Sequence, residues 1–275
     1  ILIAGGGVAG MTAALEASKA GYPCTIVEKS GELGGATAKL YKKIPTSAPY
    51  ADPEDIGVDA MVAAVEADSN ITVCLNSTLT NTAGAPGRFA ADISTESGST
   101  ETKDFGAIVQ ASGFTEYDAN QLPEFAYGKN KDVVTQMELE ALAKEANGGA
   151  IKRPSDGKEV QSVLFIQCAG QRSKKEGHLE HCSGYCCSAS IKQAMYFKDQ
   201  NADVDTTVLF SDLRTPGAGG ENFYRSGQQK RIIFTKGIAS EVVDGANPTV
   251  KFKDLILDED VDLEVDMVVL ATGMI

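Results

Sequence analysis

The chain has 275 residues, of which 43% are hydrophobic, and this is enough for two domains of ordinary size that each bury a core. A net charge of −13 without any basic run argues against a sequence-independent grip on nucleic acid. No apolar run reaches the length of a membrane span, so we expect a soluble protein.

The ends of the sequence and its thiols predict the setting of the protein. The first residues already have the pattern of a buried strand and not of a signal peptide. Because the sequence starts on its first strand and stops shortly after its last one, we expect a fragment that is trimmed at both ends. Clustered thiols without a secretion signal favour the reducing cytoplasm.

The first elements have the order of a dinucleotide-binding fold, with a strand, a glycine turn, a helix and a strand over residues 1–4, 5–10, 8–20 and 24–28. Gly5 permits the tight turn, Gly7 lets the backbone approach a pyrophosphate, and Gly10 lets helix and strand pack closely. Val8 and Ala9 begin the helix, whose free N–H groups and positive dipole end favour phosphate groups.

An acidic residue and a second glycine segment favour FAD over NAD at this first site. Glu28 ends the second strand, where it is placed to bond the ribose hydroxyls of an adenosine, and a plain glycine-rich turn does not explain it. Lys29 follows, and then Leu33, Gly34 and Gly35. In two-dinucleotide flavoproteins a similar segment wraps the FAD pyrophosphate and flavin, whereas elsewhere such a pair of glycines is an ordinary turn.

The remainder of the first domain is predicted as a loop over residues 36–50, a helix over 55–68, a strand over 71–75, a hairpin of 88–95 with 101–105 and a buried strand over 107–113. That last strand ends in Ala111, Ser112 and Gly113. It resembles the Ala-Thr-Gly strand end of FAD enzymes of the glutathione-reductase type, where small residues let the chain turn back close to the cofactor.

A second domain of similar plan is predicted after a connection. We expect an FAD-binding domain over residues 1–115, a connection over 116–160 that contains one helix, and a module built like a nicotinamide domain over 161–275. Its predicted elements are strands at 162–167, 206–210 and 231–235, helices at 183–200 and after 216–220, a meander of 238–243, 249–252 and 261–265, and a strand at 266–273. The fold class is therefore α/β, with two Rossmann-like domains of the glutathione/thioredoxin-reductase type and small antiparallel β layers.

The second domain breaks the nucleotide-binding pattern. Its first strand leads into Cys168-Ala169-Gly170-Gln171-Arg172, and no Gly-x-Gly-x-x-Gly follows. The glycine-rich bend at 217–220 comes after the second strand, which is the wrong place for a phosphate turn. We therefore expect that this domain does not bind nicotinamide and that cysteines occupy the position of the lost turn.

Four of the six cysteines lie within residues 168–187. They are Cys168, Cys182, Cys186 and Cys187, with the spacing Cys-x13-Cys-x3-Cys-Cys. Four thiolates suit a [4Fe–4S] cluster or zinc, although neither zinc-knuckle nor ordinary ferredoxin spacing is present. From the residues alone, a redox disulfide or buried free thiols stay open. The neighbouring His178 and His181 are interpreted as hydrogen-bonding surface residues.

The cysteine run resembles a known family. The segments Gln167–Arg172, His178-Leu179, His181-Cys182-Ser183, Cys186-Cys187 and Ala189 to Ala194 are similar to the signature of the flavoprotein A subunit of heterodisulfide reductases. That family includes the subunits of sulfur-oxidising relatives and the flavoproteins of quinone-interacting oxidoreductases. The chain lacks the Cys-x2-Cys-x2-Cys ferredoxin segment of larger members.

The resemblance implies FAD beside an unusually ligated [4Fe–4S] cluster in an oxidoreductase subunit that transfers electrons in sulfur metabolism. It implies that Cys168, Cys182, Cys186 and Cys187 are the iron ligands. It also places Lys192 near the flavin, where a cation would stabilise a reduced, negatively charged flavin; otherwise Lys192 is a solvated helix lysine. The implied partners are other subunits of a heterodisulfide reductase-like or quinone-interacting complex, and a homodimer is left open.

Two alternatives remain open. One is an NAD(P)H-dependent FAD disulfide reductase of the thioredoxin-reductase type, which the missing second fingerprint and the missing Cys-x2-Cys oppose. The other is a structural FAD protein with a zinc staple.

Overall fold

The computed structural model describes residues 1–275 and divides them into two compact units. The first unit comprises residues 1–39 and 56–114, and the second comprises residues 40–55 and 115–275. Residues 40–55 and the predicted connection therefore belong to the second unit by their contacts. The assignment of residues 1–115 as an FAD-binding domain stays a prediction.

The first unit contains a four-stranded parallel sheet in the order β3-β2-β1-β7. Its elements are β1 (Leu2–Ala4), α1 (Val8–Lys19), β2 (Cys24–Val27), α2 (Gly35–Ala38), α3 (Val58–Ala67), β3 (Ile71–Cys74) and β7 (Ile108–Gln110). Ile3, Met11 and Ile26 are fully buried where α1 covers the sheet, which is how an alanine-rich helix with few large side chains packs closely.

A separate three-stranded antiparallel sheet belongs to the same unit, formed by β4 (Ser77–Ala85), β5 (Arg88–Thr95) and β6 (Thr100–Phe105). The predicted hairpin of β5 and β6 is confirmed. Strand β4 was not predicted, because Leu79 is its only large apolar residue and its sequence lacks the apolar alternation that marks a half-buried strand.

The second unit is built on a seven-stranded sheet in the order β13-β12-β11-β10-β9-β14-β8. Its strands are β8 (Val133–Thr135), β9 (Ser162–Ile166), β10 (Asp205–Phe210), β11 (Ile233–Val243), β12 (Thr249–Asp254), β13 (Glu259–Glu264) and β14 (Met267–Leu270). Its helices are α4 (Gln136–Ala146), α5 (Cys186–Gln200) and α6 (Gly220–Gln229). Pairing is parallel from β8 to β11 and antiparallel beyond it, so this unit is a second Rossmann-like fold with a meander.

Three of the differences from the prediction have clear physical reasons. Helix α5 begins at Cys186 and not at Ser183, because Gly184 adopts a left-handed φ of 68°. The two segments predicted at 231–235 and 238–243 form one continuous strand, β11, which pairs with β10 first and with β12 later. Strand β8 lies inside the predicted connection and completes the edge of the sheet.

No helix of the protein combines the length and apolar character required to cross a membrane.

Candidate functional site

The glycine turn of the first unit ends β1 and leads directly into α1. Helix α1 has Gly7 as its N-cap, no side-chain cap, and no acidic residue in its first turn. The amide groups at this end of the helix are therefore available to an anion, and the helix dipole adds positive potential there. This end of the helix has the arrangement that a pyrophosphate requires.

The three fingerprint glycines differ in what requires them. A Cβ on Gly10 would overlap the carbonyl oxygen of Gly5, and a Cβ on Gly5, whose φ is 115°, would overlap that of Ala111. These two glycines serve the packing of the fold. A Cβ on Gly7 would meet only the Cα of Gly35, at 3.9 Å, and the φ of Gly7 is −75°. The fold does not require glycine at position 7, so the open space fits the close approach of a cofactor.

Glu28 follows β2 and lies against the glycine turn. Its Oε2 accepts a hydrogen bond of 2.6 Å from the Gly6 N–H, and its Oε1 accepts bonds of 2.8 Å from the Ser30 N–H and hydroxyl. Burial acts to raise its pKa, but these hydrogen bonds prevail and lower the pKa of Glu28 below its usual value. An ionised acceptor is thus held beside the turn, as a ribose hydroxyl requires.

The other predicted FAD residues of the first unit are drawn to the same place. The Gly34 N–H donates to the Gly6 carbonyl oxygen at 2.9 Å, and Gly7 and Gly34 form a parallel bridge. Ala111 follows β7, the neighbour of β1, and its N–H donates to Ala4 at 2.9 Å. The turn, Glu28, Leu33, Gly34, Gly35 and Ala111 are therefore brought together, whereas Lys29, Ser112 and Gly113 are exposed nearby in the chain.

In the second unit, a strained turn takes the place of the phosphate turn. Cys168 follows β9 with a φ of 59°, and Arg172 has a φ of 52°. Left-handed conformations cost about 1–2 kcal/mol for residues with a Cβ. The Arg172 guanidinium donates to Cys168 Sγ at 3.9 Å, to Ser211 Oγ at 3.2 Å and to Asp212 Oδ2 at 2.5 Å. These contacts fix the turn in a shape that glycine would adopt more readily.

The four cysteines of this region are free thiols with distinct burial. Cys186 and Cys187 are buried in the first turn of α5, and Cys168 and Cys182 are half-buried. Burial and the neighbouring thiols Cys187, Cys168 and Cys182 raise the pKa of Cys186 to about 12. Burial is also the main cause that raises the pKa of Cys187 and of Cys168, and the other thiols of the group add to it. The four sulfur atoms therefore lie within electrostatic reach of one another.

The donor set fits an iron–sulfur cluster in its chemistry, since all four neighbouring donors are thiols. No group of three or more His, Cys, Asp or Glu side chains converges closely enough to hold a single metal ion. In a [4Fe–4S] cluster each of four thiolates would bind a different iron atom, so the cysteines need not converge on one ion as they must for tetrahedral zinc. The electrostatic effect of the four thiols on one another is thus compatible with the absence of a site for a single metal ion.

The two histidines take separate positions. His181 is exposed, and His178 is half-buried with its ring 6.0 Å from that of Tyr117 in an edge-on contact. Neither belongs to a group that could hold a metal ion.

A cavity of about 350 Å³ lies beside Cys168, where the ends of β9, β10 and the middle of β11 meet. Of the four cysteines, Cys168 alone lines it. Two lining acceptors, Gln167 Oε1 and Glu124 Oε2, are buried without a partner. The crevice that a Rossmann-like sheet forms at its strand ends therefore persists although the phosphate turn is lost.

Lys192 is fully buried, so its interpretation as a solvated helix lysine is wrong. Its Nζ lies 2.8 Å from Glu140 Oε1 and donates to the Lys42 carbonyl oxygen at 2.6 Å. Burial lowers the pKa of Lys192, and the charge and hydrogen bond of Glu140 oppose that shift. The ammonium group is held in place by an anion that is itself fully buried.

Sequence reasoning missed Glu140. The Tyr41 N–H donates to its Oε2 at 2.9 Å, the Gln193 amide donates to its Oε1 at 2.6 Å, and the Tyr196 hydroxyl lies 3.1 Å from its Oε2. A signal was present, since Glu140 falls on the same helical face as Gln136 and Ala143, which α4 buries. A lone carboxylate on a core-facing stripe predicts a buried cation as its partner.

Comparison with known proteins agrees with these units. Residues 1–39 match the family model of an FAD binding domain. The crystal structure of T. acidophilum thioredoxin reductase superposes with a TM-score of 0.59 at 17% identity and covers 100% of this chain and 76% of that one. The protein thus has an α/β fold of the thioredoxin-reductase type, and its first 39 residues match an FAD binding domain.

Two curated relatives are A subunits of heterodisulfide reductases. The A subunit of the Ferredoxin/F(420)H(2)-dependent CoB-CoM heterodisulfide reductase of Methanosarcina acetivorans is 29% identical over 99% of this chain and 44% of its own length. The iron-sulfur A subunit of the CoB--CoM heterodisulfide reductase of Methanocaldococcus jannaschii is 28% identical over 99% of this chain and 53% of its own length. The resemblance to the family of heterodisulfide reductase A subunits is confirmed, and the chain spans about half the length of these relatives.

Proposed function

We propose that the chain is a flavin- and iron–sulfur-containing oxidoreductase subunit of a heterodisulfide reductase-like complex, which passes electrons between FAD and a [4Fe–4S] cluster in sulfur metabolism. The observation that carries the proposal is the exchange at the end of β9. A fold that normally places a phosphate turn there instead places Cys168, with three further thiols close in the chain and in electrostatic reach.

The proposed FAD site belongs to the first unit. Gly5, Gly7, Gly10, Val8 and Ala9 would hold the pyrophosphate at the start of α1, with Glu28 on the adenosine ribose. The remaining proposed contacts follow β2 and β7, at Lys29, Leu33, Gly34, Gly35, Ala111, Ser112 and Gly113. The open space at Gly7 and the ionised acceptor at Glu28 support this assignment.

The proposed cluster ligands are Cys168, Cys182, Cys186 and Cys187 in the second unit. When bound, the flavin couples two-electron to one-electron exchange and the cluster relays single electrons. The chain would supply thiolates from a strained turn at Cys168, from the segment before α5 at Cys182, and from the first turn of α5, which fixes two of the four sulfur atoms on one rigid element.

Lys192 is proposed to act on the flavin as a buried cation. Its support is the resemblance to the family and the pairing with Glu140, which keeps a charge at a position that burial would otherwise discourage. Glu140 is then a positioning residue. Replacing Lys192 with Met removes the buried positive charge and is expected to lower the midpoint potential of the bound flavin while FAD content stays unchanged, as measured by spectroelectrochemistry. An unchanged potential would remove Lys192 and Glu140 from the proposal.

Partner subunits are proposed to hold the substrate site. The chain spans about half the length of its relatives. These relatives are named as A subunits, and the names imply complexes of the heterodisulfide reductase kind. A related quinone-interacting complex in the cytoplasm fits the same chemistry.

The function is tested by reducing the anaerobically prepared full-length protein. We expect stepwise reductive titration to bleach both the flavin band and a second, broad visible band in the same protein. A protein that binds FAD but shows no second chromophore would limit the function to that of a flavoprotein.

The similarity to thioredoxin reductase favours one second candidate, an NAD(P)H-dependent disulfide reductase. The Cys168 turn opposes it because it offers no glycine fingerprint to the pyrophosphate. Stopped-flow mixing with NADH and with NADPH decides between them: rapid bleaching of the flavin without any partner protein would favour this candidate, and an unchanged flavin would exclude it.

A further inference from the structure

A hairpin turn in the second unit exposes three consecutive aliphatic side chains. Leu255, Ile256 and Leu257 connect β12 to β13 and are 42%, 73% and 66% exposed. Single apolar residues on a surface are ordinary, but a contiguous group is a mark of an interaction site. We call residues 255–257 the apolar tip.

Hydrogen bonds from its backbone N–H groups hold the apolar tip in a fixed shape. Asp254 Oδ1 accepts hydrogen bonds from the N–H groups of Ile256 at 2.8 Å and Leu257 at 2.9 Å. The Leu255 N–H donates to the Lys236 carbonyl oxygen at 2.9 Å. Because these bonds order the turn in advance, covering its side chains would cost less conformational entropy than covering a flexible loop.

The surroundings of the apolar tip are acidic. Asp258, Glu259, Asp260 and Asp262 are exposed and follow directly in the chain. Two cations are near: Lys253, whose Nζ lies 3.0 Å from Asp258 Oδ1, and the exposed Lys236, whose carbonyl oxygen accepts the Leu255 N–H. The excess is therefore negative, as is the net charge of −13 for the whole chain.

This charge decides what kind of molecule can cover the apolar tip. A second copy of the chain would bring its own acidic residues against the acidic residues around the tip, and like charges repel. An anionic membrane surface would be repelled for the same reason. A different protein with an apolar groove bordered by Lys and Arg side chains would gain both from burial and from opposite charge.

We propose that the apolar tip is the docking site of such a protein, and that this protein is another subunit of the same electron-transfer complex. The identity of the partner as a subunit rests on the proposed function, whereas the docking chemistry rests on the tip itself.

The partner is first identified in place. A photocrosslinking residue is introduced at position 256 of the full-length protein in the cells that naturally make it, and at Tyr22 as a control. Tyr22 is 59% exposed in the first unit. The protein that crosslinks from position 256 and not from position 22 is then purified for binding measurements. Crosslinks from position 256 only to a second copy of the chain would overturn the proposal.

Binding of that purified protein is measured by calorimetry against the wild type, the double variant Ile256→Ser/Leu257→Ser and the control Tyr22→Ser. We expect the dissociation constant to rise at least about tenfold in the double variant, because two aliphatic side chains that the partner would bury are replaced by polar ones. The control is expected to bind as the wild type does. Equal affinity of all three proteins would overturn the proposal.

A second variant tests the charge. Glu259→Lys/Asp260→Lys is expected to weaken binding at low salt, and the difference is expected to shrink at high salt. Stronger binding of this variant would contradict a basic rim. FAD and iron content are measured on every variant. Failure of docking with full cofactor content would leave the proposed function standing, and absence of iron with intact docking would leave the tip standing.

Discussion

Gly7 separates the requirements of the fold from those of the cofactor. Gly5 and Gly10 lack room for a side chain because of neighbouring backbone atoms, whereas Gly7 has room for one. Packing does not explain why position 7 is glycine. Its place at the start of α1, where an anion would bind, does explain it.

Two alanine variants should therefore fail differently. Gly10→Ala is expected to destabilise the protein by about 1–3 kcal/mol because the new methyl group overlaps backbone. Gly7→Ala is expected to keep stability within about 1 kcal/mol and to lose at least about tenfold in FAD affinity. Urea unfolding measures the first effect, and flavin fluorescence on binding measures the second. Equal loss of stability in both variants would contradict this division.

Glu28 predicts an acid dependence of stability. Its folded-state pKa is lowered, so it contributes stability above its unfolded value, and that contribution is lost as the pH falls through the folded pKa. We expect the free energy of unfolding of the wild type to fall between about pH 5 and pH 3, and Glu28→Gln to flatten that fall. Glu32→Gln, at an exposed position near it in the chain, is the matched control. Parallel curves for wild type and Glu28→Gln would show that the carboxylate contributes nothing in the folded state.

At the scale of elements, α4 and α5 are joined by a buried ion pair. Glu140→Leu leaves the Lys192 ammonium in the interior with the Lys42 carbonyl as its remaining partner, and we expect a loss of about 3–5 kcal/mol. Adding Lys192→Met should restore part of this loss, because the unpaired charge is removed. Denaturant unfolding of the single and double variants measures the coupling.

The exposed pair of Glu16 and Lys19 is the matched control for that cycle. Both side chains are more than half exposed, so their coupling is expected to stay below about 0.5 kcal/mol. A coupling of Glu140 with Lys192 no larger than that of this surface pair would contradict the account of a buried, charged lysine.

The sequence predicts those elements whose cause is local. The βαβ beginning, Glu28 and the cysteine turn could be inferred because each depends on residues that are neighbours in the chain. Glu140 could not be paired with Lys192, since 52 residues separate them and only the packing of α4 on α5 joins them. Strand β8 was hidden for a similar reason, because three residues form a strand only when β14 is beside them.

At the scale of the whole molecule, two Rossmann-like units differ in the turn where such a fold binds phosphate. The first keeps the features that suit a dinucleotide, and residues 1–39 match an FAD binding domain. The second keeps the sheet and the crevice at its strand ends but has cysteines at the phosphate turn. The proposed exchange of a nicotinamide site for an electron relay concerns the second unit alone, and it requires that the four cysteines bind iron.

Iron and zinc analysis of the protein after anaerobic reconstitution tests this claim most directly, with each of the four cysteines of the 168–187 stretch replaced by Ser in turn and Cys24→Ser as the control outside it. We predict about four iron atoms per chain in the wild type and in the control, with loss of iron in the four variants and retained FAD in all. One zinc and no iron, or iron that is unaffected by replacing Cys168, would contradict the account.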